Sequence, residues 1–238
     1  MNYSMISYIL GWIFNFEAAF MLLPGITAII YRERDGLAFL VTMIICLAIG
    51  IPLTRTKRKN RVFHAKEGAV TVALSWLVLS IAGALPFVIS GSIPHPVDAL
   101  FETVSGFTTT GASILSDVES LSHCILLWRS FTHWIGGMGV LVFILCLLPL
   151  TGGYHMNLMK AESPGPSVGK LVPKIKYTAR ILYVIYIVLT AIEIILLIAG
   201  KMPVFHAFCT GFGTAGTGGF GVKAPSNSRM LDLILFAM

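Results

Sequence analysis

The chain has 238 residues, of which 56% are hydrophobic and 12% charged, with a mean hydropathy of +0.84. A soluble domain carries about 25% charged residues, so this composition excludes an ordinary soluble protein and points to an integral membrane protein. The formal net charge of +6 does not call for a nucleic-acid partner, because the basic residues cluster beside apolar runs and fit membrane topology.

A spanning helix needs about 20 apolar residues. The first candidate covers 6–30, contains Glu17 and has Pro24–Gly25 near its end. No cleavable signal peptide is expected, since the N-terminus lacks a basic region and its apolar run continues to Ile30. The second candidate is 37–53, followed by the basic segment "RTKRKNRVFHAK" at 55–66. The third is 68–90, the fourth 124–150 and the fifth 177–199, and a last apolar run, "MLDLILFAM", occupies 230–238. The organisation expected is two N-terminal helices over 1–54, a basic loop at 55–67, a first unit over 68–150, a linker at 151–176 and a second unit over 177–238. Basic residues at 55–66, and Lys160, Lys170, Lys174 and Lys176 in the linker, place both segments in the cytoplasm, with the N-terminus inside and 91–123 and 200–229 outside. Cys46, Cys124, Cys146 and Cys209 are scattered without a CxxC pair, so neither a disulfide framework nor a metal knot is expected.

The outer segments repeat. "PVDALFETVSGFTTTG" (96–111) and "PVFHAFCTGFGTAGTG" (203–218) match at seven of sixteen positions without gaps, at an offset of 107, and the preceding apolar runs lie at nearly the same offset. Internal repetition is common in transporters. Each copy opens on a short amphipathic piece, with Pro96 and Asp98 suited to a helix start. Gly106 and the run of threonines then disfavour continuation. The expectation is a short helix that dips in and returns as extended backbone. Irregular backbone at membrane depth is tolerated only inside protein or lining a cavity. Carbonyls aimed at one axis can replace the water shell of a monovalent cation, and threonine adds a hydroxyl acceptor. "GFTTTGAS" therefore reads as one wall of an ion filter.

"DALFETVSGFTTTGAS", "WIGGMGVLVF", "AESPGP" and "FGTAGTGGFG" together resemble the TrkH/TrkG branch of the Trk/Ktr/HKT potassium transporters, and the resemblance covers essentially the whole chain. It implies an all-α integral membrane fold of helix–re-entrant pore loop–helix repeats, four around one pore, preceded by two extra transmembrane helices. By position, Thr108, Thr109, Thr110 and Gly111 would form the first filter strand, and Ala215, Gly216, Thr217 and Gly218 the second, with Gly219 an alternative to Gly218. K+ would be the transported ion. The resemblance further implies the cytoplasmic (inner) membrane, a homodimer, and a cytosolic nucleotide-binding regulatory subunit of the TrkA type. At an offset of 107 the closing helix of the second repeat would run from about 231 to about 257, so the chain reads as the N-terminal half of a longer transporter.

Asp98 and Glu102 fall on the first pore helix and are candidates for a negative vestibule. Glu102 also suits a structural role on the filter backbone, and Arg129, inside the fourth apolar run, is a possible partner for it. Glu17 and Glu193 are the other intramembrane charges, and "GGMG" at 136–139 suits close helix packing. No HExxH or GxSxG occurs, so no enzyme is expected. The competing readings are a non-transporting anchor or assembly subunit and, far behind, an intramembrane hydrolase using Ser105.

Overall fold

The computed structural model describes residues 3–55, 65–139 and 172–222. All regular structure among them is helical: α1 (Tyr3–Phe20), α2 (Leu22–Tyr31), α3 (Gly36–Thr54), α4 (Ala65–Ser90), α5 (Pro96–Phe107), α6 (His123–Gly137), α7 (Val172–Ala199) and α8 (Val204–Ala215). The stretches 140–150, 56–64, 151–171 and 223–238 fall outside the described residues. They hold the end of the fourth apolar run, nearly all of the first basic segment, most of the linker and the last apolar run.

The first apolar run is one 29-residue span, Tyr3–Tyr31, broken at Met21. Pro24 has no N–H for the carbonyl of Phe20, and its ring crowds that carbonyl. The ladder resumes with Gly25 N–H donating to Met21 O at 3.1 Å. Arg32 then adopts φ 56°, ψ 42°, and Glu33 N–H closes the helix on Ala28 O, which turns the chain into α3. α3 lies close along α1 because Gly11 and Gly50 face each other across the contact. A Cβ on Gly11 would stand 2.7 Å from Leu53 Cβ and 3.0 Å from Gly50 O.

α4 is 26 residues, about 39 Å at the helical rise, and α7 is 28 residues; both exceed the roughly 30 Å hydrocarbon thickness. α7 buries Thr190, Glu193, Ile194 and Leu197, spaced as one helical stripe, and presents Leu182, Val184, Ile195 and other aliphatic side chains outward. In lipid such an outward face needs no cover.

α5 and α8 have 12 residues each, about 18 Å, too short to cross. Both pack against α6, which lies between them. Its centre is the buried core. Trp128 is fully buried, donates Nε1–H to Gly83 O at 2.9 Å, and meets Phe39 and Phe107 edge-on at 6.1 and 6.4 Å.

A carboxylate from another hairpin caps the start of α6. Glu33 accepts hydrogen bonds from the backbone N–H of His123 (2.8 Å) and Cys124 (2.9 Å), and lies 2.8 Å from the His123 ring nitrogen Nδ1. Partial burial pushes the Glu33 carboxyl up, but these hydrogen bonds more than offset it and hold its pKa below the ordinary carboxylate value. The His123 ring stacks on Tyr31 at 3.9 Å and meets Phe205 of α8 edge-on at 4.7 Å. One clasp thus ties the α2–α3 turn, α6 and α8 together at one end of the bundle.

Candidate ion-conducting site

The two short helices end alike, and their ends define the site. α5 closes on Thr108 and α8 on Gly216. In the first loop Thr108 N–H donates to Val104 O, Thr109 N–H to Gly106 O and Thr110 N–H to Ser105 O; in the second, Gly216 N–H donates to Phe212 O, Thr217 N–H to Thr214 O and Gly218 N–H to Gly213 O. Thr109 and Thr217 both sit at φ 55°, and Gly111 and Gly219 at φ 76° and 75°. The correspondence therefore runs at an offset of 108, not the 107 of the gap-free sequence alignment. It sets Gly216, Thr217, Gly218 and Gly219 against Thr108, Thr109, Thr110 and Gly111, while Ala215 is the last residue of α8.

Neither segment is a plain extended strand. φ alternates in sign along each, positive at the second and fourth positions. A β-branched residue in the left-handed region is an outlier costing about 1–3 kcal/mol, and it occurs twice at equivalent places. Alternating hands turn successive peptide planes so that carbonyls lie along one side and N–H groups along the other. The N–H groups of 108–110 and 216–219 donate back onto the short helices. Among the described residues, nothing donates a hydrogen bond to the carbonyls of 108–111 or 216–219. Thr108, Thr110 and Thr217 are exposed, and the Thr108 and Thr110 hydroxyls stand 2.8 Å apart. The two loops meet: a Cβ on Gly111 would overlap the carbonyl oxygen of Gly218.

α6 is the wall between them. A Cβ on Gly136 would run into Phe107 O at the end of α5, and one on Gly137 would stand 2.9 Å from Gly216 Cα at the end of α8. "GGMG" thus serves close packing, against the short helices' ends on both sides.

Glu102 does not line an open vestibule. It is 1% exposed and accepts from Arg129 Nε at 2.5 Å, Ser113 Oγ at 2.9 Å and Ile114 N–H at 3.0 Å. Arg129 in turn donates Nη1–H to Gly221 O at 3.0 Å, and its guanidinium lies 3.7 Å from the Phe220 ring centroid. The pair on α5 and α6 therefore holds the outgoing backbone of both loops, Ser113–Ile114 and Phe220–Gly221. Asp98 is half-buried in the first turn of α5, where a carboxylate suits the helix dipole.

Two features escaped the sequence reading. His133, on α6, is fully buried against Gly218 and Phe220; a lone histidine in an apolar run gives no such signal. Ser113 and Ile114 as ligands of Glu102 lie eleven and twelve residues away, beyond any local pattern.

A model of the TrkH family, described as cation transport protein, matches residues 36–234. The potassium uptake protein TrkH of Salmonella typhimurium is 40% identical over 229 residues, covering 95% of this chain and 47% of that protein. TrkG of Escherichia coli is 34% identical over 94% of this chain and 47% of its own length. The crystal structure of the potassium transporter TrkH from Vibrio parahaemolyticus superposes with a TM-score of 0.82 at 30% identity, over 100% of this chain and 49% of that one. The chain spans about half the length of the curated relatives it matches. With this breadth of match over a membrane fold and a pair of matched loops, the chain belongs to the TrkH family of cation transport proteins.

Proposed function

We propose that this chain supplies half of a potassium-uptake pore in the cytoplasmic membrane, as the N-terminal part of a four-repeat subunit. The two loops are re-entrant, and their carbonyls form two of four filter strands: Thr108–Gly111 and Gly216–Gly219. The observation that carries this is the matched backbone, with positive φ at Thr109 and Thr217 and at Gly111 and Gly219, and the two loops in contact. Strained geometry repeated at equivalent positions, with carbonyls that no described residue pairs, suits the replacement of an ion's hydration shell. The relatives named as potassium uptake proteins support K+ as the ion. No covalent chemistry is involved, and the ion moves down its electrochemical gradient.

In the complete protein a homodimer and a cytosolic nucleotide-binding subunit of the TrkA type are the partners this reading entails. The N-terminus is cytoplasmic. The test is rubidium uptake by cells that lack their own potassium uptake and express this sequence joined to its native continuation. Uptake is expected with the wild-type sequence and is abolished by Gly111→Asp without loss of membrane insertion. Normal uptake by a well-inserted Gly111→Asp protein would falsify the filter assignment. An anchoring role is the reading left if the wild type inserts and carries no rubidium.

A further inference from the structure

Beyond the break at Met21, α2 and α3 enclose a groove of about 370 Å³ that runs from Arg32 and Glu33 at the turn to Met21 and Met43 at its other end. Met21, Ala28 and Phe39, all buried, form its floor, and Ile26, Ile29, Leu37 and Leu40, all exposed, form its rims. Gly36 closes the hairpin near the turn, where a Cβ would stand 2.6 Å from Ala28 Cβ. Gly25 lines the groove toward its deeper end, and a Cβ there would meet no atom within 4 Å.

Three features say what fits. From Leu22 to Arg32 the groove follows α2 for about 15 Å at the helical rise, half of the roughly 30 Å hydrocarbon thickness, so it is as deep as one leaflet. Spread over that length its volume gives a section of about 25 Å², too narrow for a helix of about 10 Å diameter. The lining is apolar except at the turn. There Arg32 is exposed, and no carboxylate lies within salt-bridge reach of it among the described residues. Arg34, two residues on, is exposed as well. Glu33 is committed to the N–H groups of His123 and Cys124, and Asp35 is half-buried at the start of α3. The cation at the rim is therefore available to an anion at headgroup level.

We propose that this groove binds one phospholipid of net negative charge, of the phosphatidylglycerol type, from the leaflet that holds the α2–α3 turn. On the topology proposed above that leaflet is the outer one. One acyl chain lies along the floor, past Gly25, and the phosphate accepts hydrogen bonds from the Arg32 guanidinium. A zwitterionic lipid brings its own ammonium beside Arg32 and Arg34 and is disfavoured there. The outward face of α7 differs in kind. It presents aliphatic side chains to any lipid, and none of its described residues from Ile181 to Ile198 is basic, so it selects no headgroup.

The experiment uses the full-length protein in phosphatidylcholine vesicles that carry a minor share of a probe lipid with a diazirine midway along one acyl chain. The probe is phosphatidylglycerol in one preparation and phosphatidylcholine in the other. After illumination, label is located on peptides by mass spectrometry. The phosphatidylglycerol probe is expected to label α2 and α3 about tenfold more than the phosphatidylcholine probe does, and both to label α7 alike. Arg32→Gln should remove that preference, and Gly25→Trp, whose ring fills the groove, should lower α2–α3 labelling to the level of α7. Arg32 is exposed at a helix end, so its variant decides the matter should Gly25→Trp fail to insert. Equal labelling of α2–α3 by the two probes overturns the headgroup selection. Labelling of α2–α3 no greater than that of α7, whether bulk lipid or another part of the protein covers the groove, overturns the site. Neither result touches the filter reading, which rests on rubidium uptake.

Discussion

Replacing Glu102 by leucine tests the brace between the two loops. The side chains of Arg129 and Glu102 are 3% and 0% exposed, so Glu102→Leu leaves a guanidinium buried with only Gly221 O and the Phe220 face for company. Breaking one partner of a buried pair costs about 3–5 kcal/mol. The orphaned Ile114 N–H falls within the same change and keeps the expected loss at the upper end. Arg129→Leu should cost less, because Ser113 Oγ and Ile114 N–H still satisfy the carboxylate. The double variant removes both charges and should be more stable than Glu102→Leu alone, giving a coupling energy of about 2–4 kcal/mol. The assay is thermal unfolding of the four proteins in detergent, where Glu102→Leu should lower the midpoint on the order of 10 °C. Additive losses, or a Glu102→Leu protein within about 1 kcal/mol of wild type, would refute the view that this pair carries the loops.

Three further outcomes are expected. Gly111→Ala combines a left-handed φ with overlap on Gly218 O, whereas Gly219→Ala has the same φ and open space around its Cβ; rubidium uptake should vanish in the first and be reduced in the second, and equal effects would contradict the contact between loops. Because the Glu33 carboxyl is held below its ordinary value when folded, its stabilising effect is present above the unfolded value and is lost as pH falls through the depressed folded one. Melting temperatures of wild type and Glu33→Gln should therefore differ at neutral pH and converge on acidification, and a constant gap across that range would rule out the clasp as the source. Glu17 is 1% exposed, and among the described residues neither of its oxygens has a hydrogen-bond partner. Glu17→Gln should leave the melting temperature within about 2 °C or raise it, while Glu17→Lys should cost the fold, by several kcal/mol, its packing at that point; a large loss in Glu17→Gln would show that the carboxyl has a role the fold does not reveal.

The long helices were legible because apolar length alone specifies them. The run at 37–53 became Gly36–Thr54, and that at 177–199 lies within Val172–Ala199. The register of the second loop was not. Pro96 is the first helical residue of α5, after the cap His95, whereas Pro203 is itself the cap of α8. Aligning the two prolines matches identical residues in different helical positions, and the adjacent glycines at 218 and 219 let the slip pass without penalty. The extent of α8 was also obscured, because Gly211 and Gly213 argue locally against a helix that α6 and α7 stabilise by packing. Pairing of Arg129 with Glu102 was within reach, since both are charges in apolar surroundings and charges there need partners. His133 was not, because nothing in the sequence says which helix face meets which loop.

The placement of α6 between the loops also bears on how the protein is made. A chain emerging from the ribosome delivers α5 and its loop first, then α6, and the second loop some eighty residues later, at Gly216–Phe220. During that interval Gly111 has no neighbour at Gly218, and the Arg129 guanidinium lacks Gly221 O and the Phe220 ring. The first loop can settle on α6 early, held by Glu102 and by the Phe107–Gly136 contact. One face of the nascent bundle must nevertheless stay unfinished until translation has passed Gly221, so a pause or premature stop before that codon leaves a half-built wall for the membrane's quality-control proteases to recognise.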